Sequence, residues 1–258
     1  MLISSLKVLF QHGKQYISRL EDVSLPDTFR GRPVVTPDVP EETARELAEL
    51  CPSGALSAEP FGVDLGRCVF CGECALRCPQ HIRFTSDWRM ATNCRERLVV
   101  SAGSPERIES DPERVRAEIR RLFGRALRLR EVCAGGDGST EMELNATMNV
   151  NFDFGRYGIE FVASPRHADG VVISGPITCN MAVPLELCYH AVAPPRIVIL
   201  AGTDAISGGL FAGSPAIDRS FLDRFDADLY VPGNPVHPLT FIDGVLSLTG
   251  RLKKKKNA

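Results

Sequence analysis

No stretch of the 258-residue chain approaches the roughly 20 consecutive apolar residues that a membrane-spanning helix needs. Any membrane link is therefore expected to be peripheral or to run through partner subunits. A cleavable signal sequence is also lacking, so the nine cysteines are expected in a reducing, cytosolic setting, not in a disulfide scaffold. Neither sign of charge dominates: 30 Lys and Arg against 32 Asp and Glu leave a net charge of −2, which gives no sign of nucleic-acid binding. Nucleotide loops are missing too. Gly135, Gly136 and Gly138 precede a predicted helix, but no Lys-Ser/Thr follows and the G-x-G-x-x-G spacing is absent. In a cytosolic chain the Asn145-Ala146-Thr147 sequon carries no meaning.

Cysteine is abundant, and it is concentrated. Cys68, Cys71, Cys74 and Cys78-Pro79 form the C-x2-C-x2-C-x3-C-P run with which bacterial ferredoxins hold a cubane iron-sulfur cluster. Three thiolates a few residues apart wrap one face of a cluster, and the proline turns the chain away. Zinc is the alternative, but it usually takes two separated ligand pairs. In two-cluster ferredoxins the last cysteine of each run serves the other cluster, so an upstream half-motif is expected. It survives only as Cys51-Pro52, with Glu41, Ala44 and Leu47 where the other ligands would stand. The expected ligand set is thus Cys51, Cys68, Cys71 and Cys74 around one 4Fe-4S cluster. Cys78 is the alternative fourth ligand, and a third reading makes Cys51 only a small buried side chain. The spacing assigns Cys94 no role.

Patterning divides the chain into residues 1–103, a connecting helix within 104–126, and residues 127–258. The connector is read from Asp111-Pro112 onward to Phe123, with Asp111 as N-cap and Pro112 at the first helical position. Beyond it, short β-branched runs at 159–162, 171–173, 197–200 and 229–231 alternate with helical stretches. That pattern predicts a parallel sheet buried on both faces, with the functional loops at the strands' carboxyl ends. Two terminal features suit acidic lipid or a partner subunit: an amphipathic stretch from Leu2 to Phe10 and the Lys253–Lys256 tail. A docked helix and a solvated tail are their plainer readings.

Five blocks then carry a resemblance. Ser139-Thr140-Glu141-Met142-Glu143, Ser164-Pro165-Arg166-His167-Ala168-Asp169, Ser174-Gly175-Pro176, Ser207-Gly208-Gly209 and Val231-Pro232-Gly233-Asn234-Pro235 occur in order over residues 128–250. They resemble the small, cluster-bearing subunit shared by respiratory complex I, its B subunit, and membrane-bound energy-converting nickel-iron hydrogenases. The first hundred residues resemble the neighbouring ferredoxin-like subunit, so the whole looks like a fusion of the two. The resemblance implies an α+β ferredoxin-like domain followed by a flavodoxin-like α/β domain with a short, helix-flanked parallel sheet. It further implies partners: a large catalytic-like hydrogenase or complex I subunit, membrane-arm subunits and other electron-transfer subunits. The implied location is the cytoplasmic face of a membrane, held peripherally by those subunits.

Where that family places cysteine ligands, this chain has Asp137, Thr140, Asp204 and Asn234, with Thr203 the alternative for the third. Cys133, Cys179 and Cys188 do not rebuild the set, and without thiolates a cubane cluster is not held. The expectation is a polar pocket near Arg166 and His167 whose side chains satisfy one another in a domain kept as scaffold. Other readings are a hard metal ion or proton relay, or an unusual cluster that uses Cys133. Two functions follow: an electron-transfer subunit with one cluster, or a coupling subunit whose cluster is structural or vestigial.

Overall fold

The computed structural model describes residues 2–13 and 15–252; the Lys253–Lys256 tail lies outside them. Its carboxyl-terminal half is built on five parallel strands: β6 (Leu127–Cys133), β7 (Ile159–Phe161), β8 (Gly170–Ser174), β9 (Ile197–Ala201) and β10 (Leu229–Val231), which lie in the order β10-β9-β8-β6-β7. Counted within the sheet, this is the doubly wound order 2-1-3-4-5. The chain reverses direction across the sheet between β6 and β8, and a crevice opens at their carboxyl ends. β8 and β9 are buried at every position, which is why Val171-Val172-Ile173 and Ile197-Val198-Ile199-Leu200 read as unbroken apolar runs. Strand β6, between β8 and the edge strand β7, was not legible that way. Its Leu-Arg-Leu-Arg-Glu-Val-Cys alternates, because its carboxyl end looks into polar clefts.

Helices cover both faces: α5 (Ser139–Ala146), α6 (Cys179–Ala191), α7 (Thr203–Ser207), α8 (Ser220–Arg224) and α9 (Pro238–Leu248). α9 starts with Pro238 at its first position, and its N-cap His237 accepts a hydrogen bond from the Leu239 amide (3.2 Å). It is buried on nearly every side. Phe241 packs against Phe154 (5.7 Å between ring centroids) and Phe161 (6.0 Å), anchoring the helix beneath the sheet.

The amino-terminal half holds two small antiparallel sheets. β1 (Pro33–Val35) pairs with β4 (Ile82–Phe84); β2 (Leu56–Ala58), β3 (Phe61–Asp64) and β5 (Val99–Ser101) form the other. α2 (Glu41–Leu50) and α3 (Glu73–Arg77) lie between these strands in sequence, and each presents cysteines at or near its ends. The two halves share one apolar core, in which Leu47, Val63 and Phe70 join Ile173, Leu200 and Ile206. Backbone bonds extend the junction: Thr92 and Tyr230 exchange amide hydrogen bonds (3.0 and 2.8 Å), and the Thr240 hydroxyl donates to the Trp88 carbonyl (2.8 Å).

Two local expectations meet a different outcome. The connecting helix α4 spans only Ala117–Phe123. Upstream, Asn93 bonds both the amide (2.7 Å) and the carbonyl (2.8 Å) of Asp111, and Arg116 holds Asp228 through two bonds of 2.9 Å. Those tertiary ties keep residues 111–116 in a turn despite the N-cap signal. At the amino end α1 (Leu2–His12) is helical as expected, but Leu6, Leu9 and Phe10 face solvent instead of docking.

Candidate functional site

The cysteine run begins just after β3. Asp64 organises that turn: its carboxylate accepts from the Gly66 amide (2.9 Å) and from both Arg95 terminal nitrogens (2.8 and 2.7 Å), while its carbonyl accepts from the Cys68 amide (2.9 Å). Phe70, between Cys68 and Cys71, sits at a φ of 54°, a left-handed conformation unfavourable for a bulky residue. Arg30 clamps it there by donating to the Phe70 carbonyl (2.9 Å). The loop is thereby curled so that its thiols face inward.

Cys51, Cys68, Cys71 and Cys74 line one cavity of about 370 Å³, closed by Leu47, Leu56, Val63 and Phe84. Cys51 enters from the carboxyl end of α2. Its sulfur accepts from the Ala55 amide (3.2 Å), as Cys68 accepts from the Phe70 amide (3.3 Å). Such N–H donors suit thiolates. Burial pushes the Cys68 thiol up to about 12 and the Cys74 thiol to about 11, and in both cases the neighbouring cavity cysteines add to the shift. Iron binding would therefore have to displace those protons. Cys78 does not line the cavity: it caps α3, is buried among apolar side chains, and accepts from Gln80 Nε2 (3.1 Å).

Among the described residues no three His, Cys, Asp or Glu side chains converge on a single metal ion. The four thiols ring a volume instead of meeting at a point. That donor set fits a multi-atom iron-sulfur group better than a lone zinc, whose thiolates all lie about 2.3 Å from one centre. Cys71 is the exposed member of the set and marks the side open to solvent. Cys94 is elsewhere, donating to Glu96 (2.9 Å). Cys133 and Cys179 are exposed and Cys188 is half-buried on α6.

The second pocket, about 240 Å³, opens at the carboxyl ends of β6, β8, β9 and β10. Asp137, Thr140, Asp204 and Asn234 all line it, together with Glu141 and Thr203. Both candidates for the third position thus face the same space. Two glycines permit the geometry: a Cβ on Gly175 would meet the Gly136 amide nitrogen at 2.4 Å, and one on Gly209 would strike the Asp204 carboxylate. Asp137 is committed to capping, accepting from the Ser139 amide (2.9 Å) and hydroxyl (2.6 Å), which hold its carboxyl below the usual range. Asp204 is pushed up, first by burial and then by Asp137 and Glu141. Arg219 reaches the same segment, but its donors go to the carbonyls of Pro176, Asp204, Ala205 and Ile206.

Arg166 and His167 are not part of this pocket. They are exposed on the turn Pro165–His167, just ahead of the amino end of β8, whereas the pocket lies at the carboxyl ends. Adjacency in the family blocks had suggested the opposite, and strand direction is what separates them. The two sites nearly touch: the fully buried Thr203 hydroxyl donates to the Cys68 carbonyl (2.8 Å). Sequence reasoning named neither Glu141 nor Ser174 as site residues, although both lie in blocks it singled out.

A flavodoxin-ordered sheet with a cysteine-ringed cavity against its carboxyl-end crevice defines a doubly wound α/β protein that bears a 4Fe-4S binding motif. Residues 133–248 match the family model described as NADH ubiquinone oxidoreductase, 20 Kd subunit, and residues 61–83 match the 4Fe-4S binding domain. The chain is 32% identical over 139 residues to the probable membrane-bound hydrogenase subunit mbhJ of Pyrococcus furiosus, a match covering 54% of this chain and 83% of that protein. It is 33% identical over 117 residues to the NADH-quinone oxidoreductase B subunit of Geotalea daltonii, covering 45% and 68%. A chain of the membrane-bound sulfane sulfur reductase, an archaeal respiratory membrane complex, superposes with a TM-score of 0.43 at 24% identity, over 49% of this chain and 70% of that one. The chain belongs to the family of the complex I 20 Kd subunit.

Proposed function

We propose that this chain is an iron-sulfur electron-transfer subunit of a membrane-associated, complex I-like or hydrogenase-like oxidoreductase, carrying one 4Fe-4S cluster in residues 1–103 and none in residues 127–258. The observation that carries this reading is the single cavity shared by Cys51, Cys68, Cys71 and Cys74, set against a second site lined by Asp137, Thr140, Asp204 and Asn234. Bound at the four thiolates, a cluster stores and releases single electrons. The protein's part is to bury Cys68 and Cys74, leave Cys71 at the solvent edge, and point the Ala55 and Phe70 amides at sulfur.

The partners in this reading are a large hydrogenase-type or complex I-type subunit, membrane-arm subunits and further electron carriers, supported by relatives that are themselves named as subunits of a membrane-bound hydrogenase and of an NADH-quinone oxidoreductase. Among the described residues no helix is long and apolar enough to cross a membrane, so attachment through those subunits, at the cytoplasmic face, is the reading we adopt.

A second reading makes the chain mainly a coupling element that joins a large subunit to a membrane arm. Oxygen and amide side chains at the former ligand positions favour it, because electrons at the cysteine cavity then have no second cluster in this chain to move to.

Iron and acid-labile sulfide assays on anaerobically purified protein test the proposal, with electron paramagnetic resonance after dithionite reduction. About four irons and one cubane signal are expected. About eight irons with two interacting signals would overturn the single-cluster assignment.

A further inference from the structure

The buried Ser174 hydroxyl lies between two carboxylates, 3.0 Å from Glu131 Oε1 and 2.7 Å from Glu141 Oε1. A hydroxyl owns one proton. If Ser174 donates it to Glu141, its remaining lone pairs face Glu131, and that contact is attractive only when Glu131 is itself the donor. The third neighbour, the Val132 carbonyl at 3.4 Å, brings no proton. The trio therefore holds one proton more than two ionised carboxylates would. Burial raises Glu131 in the same direction and Glu141 adds to it, against the opposing hydrogen bond of Ser174 and the charge of Arg130.

The trio also bridges two spaces. An outer cleft of about 520 Å³ is lined by Arg130, Glu131, Asn145 and Glu141. Glu141 lines the inner pocket as well, opposite Asp204. Thr140 also lines that pocket and is 9% exposed. It faces Gly202 across the pocket, where a Cβ would stand 3.1 Å from Thr140 Oγ1. A pocket lined by carboxylates, a hydroxyl and an amide, and open to solvent at the exposed Asp137, admits water.

We infer that Glu131, Ser174 and Glu141 form a proton-transfer route linking the outer cleft to the inner polar pocket. Glu131 gives its carboxyl proton to Ser174 Oγ while Ser174 passes its hydroxyl proton to the Glu141 carboxylate. Water in the cleft reprotonates Glu131, and Glu141 releases its proton to water in the inner pocket that it shares with Asp204. One proton moves from cleft to pocket, no electron moves, and each group returns to its starting state. The charged and titratable groups facing the route are Arg130 on the same strand, Cys133 beside Glu141, and Asp137 and Asp204 across the pocket. This assignment does not depend on how many clusters the chain carries.

Isotope-edited infrared spectroscopy on the full-length, anaerobically purified protein tests it. With carboxyl-labelled glutamate, a protonated carboxyl band is expected at neutral pH, lost in Glu131→Gln and displaced in Ser174→Ala. With labelled aspartate in mildly acidic buffer, the Asp204 band is identified by its loss in Asp204→Asn. After transfer to D2O that band should deuterate about a hundredfold more slowly in Ser174→Ala than in the native chain, the lower end of what a positioned proton carrier contributes. A native protein without any protonated glutamate band overturns the inference without reference to a variant. So does an Asp204 deuteration rate unchanged by Ser174→Ala.

Discussion

In Cys51→Ser, iron and acid-labile sulfide are expected to fall from about four per chain to a small residue, with loss of the cubane resonance, whereas Cys78→Ala should retain both. Spacing alone ranked the two thiols without deciding between them, since the contiguous run offers Cys78 as readily as Cys51. Packing separates them. Cys51 shares the cavity with Cys68, Cys71 and Cys74, and its sulfur receives the Ala55 amide. Cys78 is turned toward Gln80 at the end of α3. Serine at position 51 keeps the size of the side chain but not the soft thiolate that iron-sulfur clusters use. The measurement is metal content with resonance spectroscopy on both variants, purified anaerobically. Retained iron in Cys51→Ser together with loss in Cys78→Ala would reverse the assignment.

That contrast shows where the sequence was legible and where it was not. Strands with a strict local signature, the apolar runs in β8 and β9, were readable because burial on both faces leaves no polar position. β6 escaped because Arg128, Arg130 and Glu131 interrupt it: Arg128 pairs with Glu160 on the neighbouring strand β7, while Arg130 and Glu131 line a cleft shared with α5 and with residues 161–163. The four altered ligand positions were found from family blocks, and the fold gathers them into one pocket. The misplacement of Arg166 and His167 has the opposite cause. Blocks adjacent in sequence sit at opposite ends of the sheet when a strand runs between them, as β8 does between residues 164–169 and 174–176, and block order alone does not reveal that strand.

The junction between the halves gives the second site its meaning. Thr203 is buried, lines the polar pocket, and bonds the backbone of Cys68, the first cysteine of the run. The Cys68 loop is thus braced by the α/β sheet it abuts. With Leu47 and Val63 in the same core as Ile173 and Leu200, the cysteine-rich half gains apolar support that a small cluster-built domain lacks on its own. A pocket without thiolates can still position the neighbouring loop, and this work requires Thr203 and Gly233 to be in place whatever the pocket contains.

Stability should respond to pH through two groups on α9 that act in opposite directions. His237 is neutral in the folded chain because burial lowers it to about 4, and because its Nδ1 must stay unprotonated to accept the Leu239 amide. The unfolded chain takes up that proton near the ordinary histidine value, so this contribution is complete above about 6.5 and is lost as pH falls toward 4. Asp243 is raised to about 6, by burial first, against the pull of Arg89. Here the folded chain binds the proton more tightly, so Asp243 costs stability above about 6 and the cost fades as pH falls through its folded value toward the ordinary 3.8. At about 1.4 kcal/mol per unit, each effect reaches roughly 3 kcal/mol at its limit. In the native chain they offset one another through the weakly acidic range. Asp243→Asn is expected to stabilise by up to about 3 kcal/mol at neutral pH, with the gain roughly halved by about pH 5. His237→Asn keeps an N-capping side chain but does not titrate, so its benefit should appear only in acid, about 2 kcal/mol near pH 5. Thermal midpoints of the two variants, taken anaerobically at matched iron content, should cross as pH is lowered. Parallel curves would mean that neither group is held away from its ordinary value by the burial of this helix.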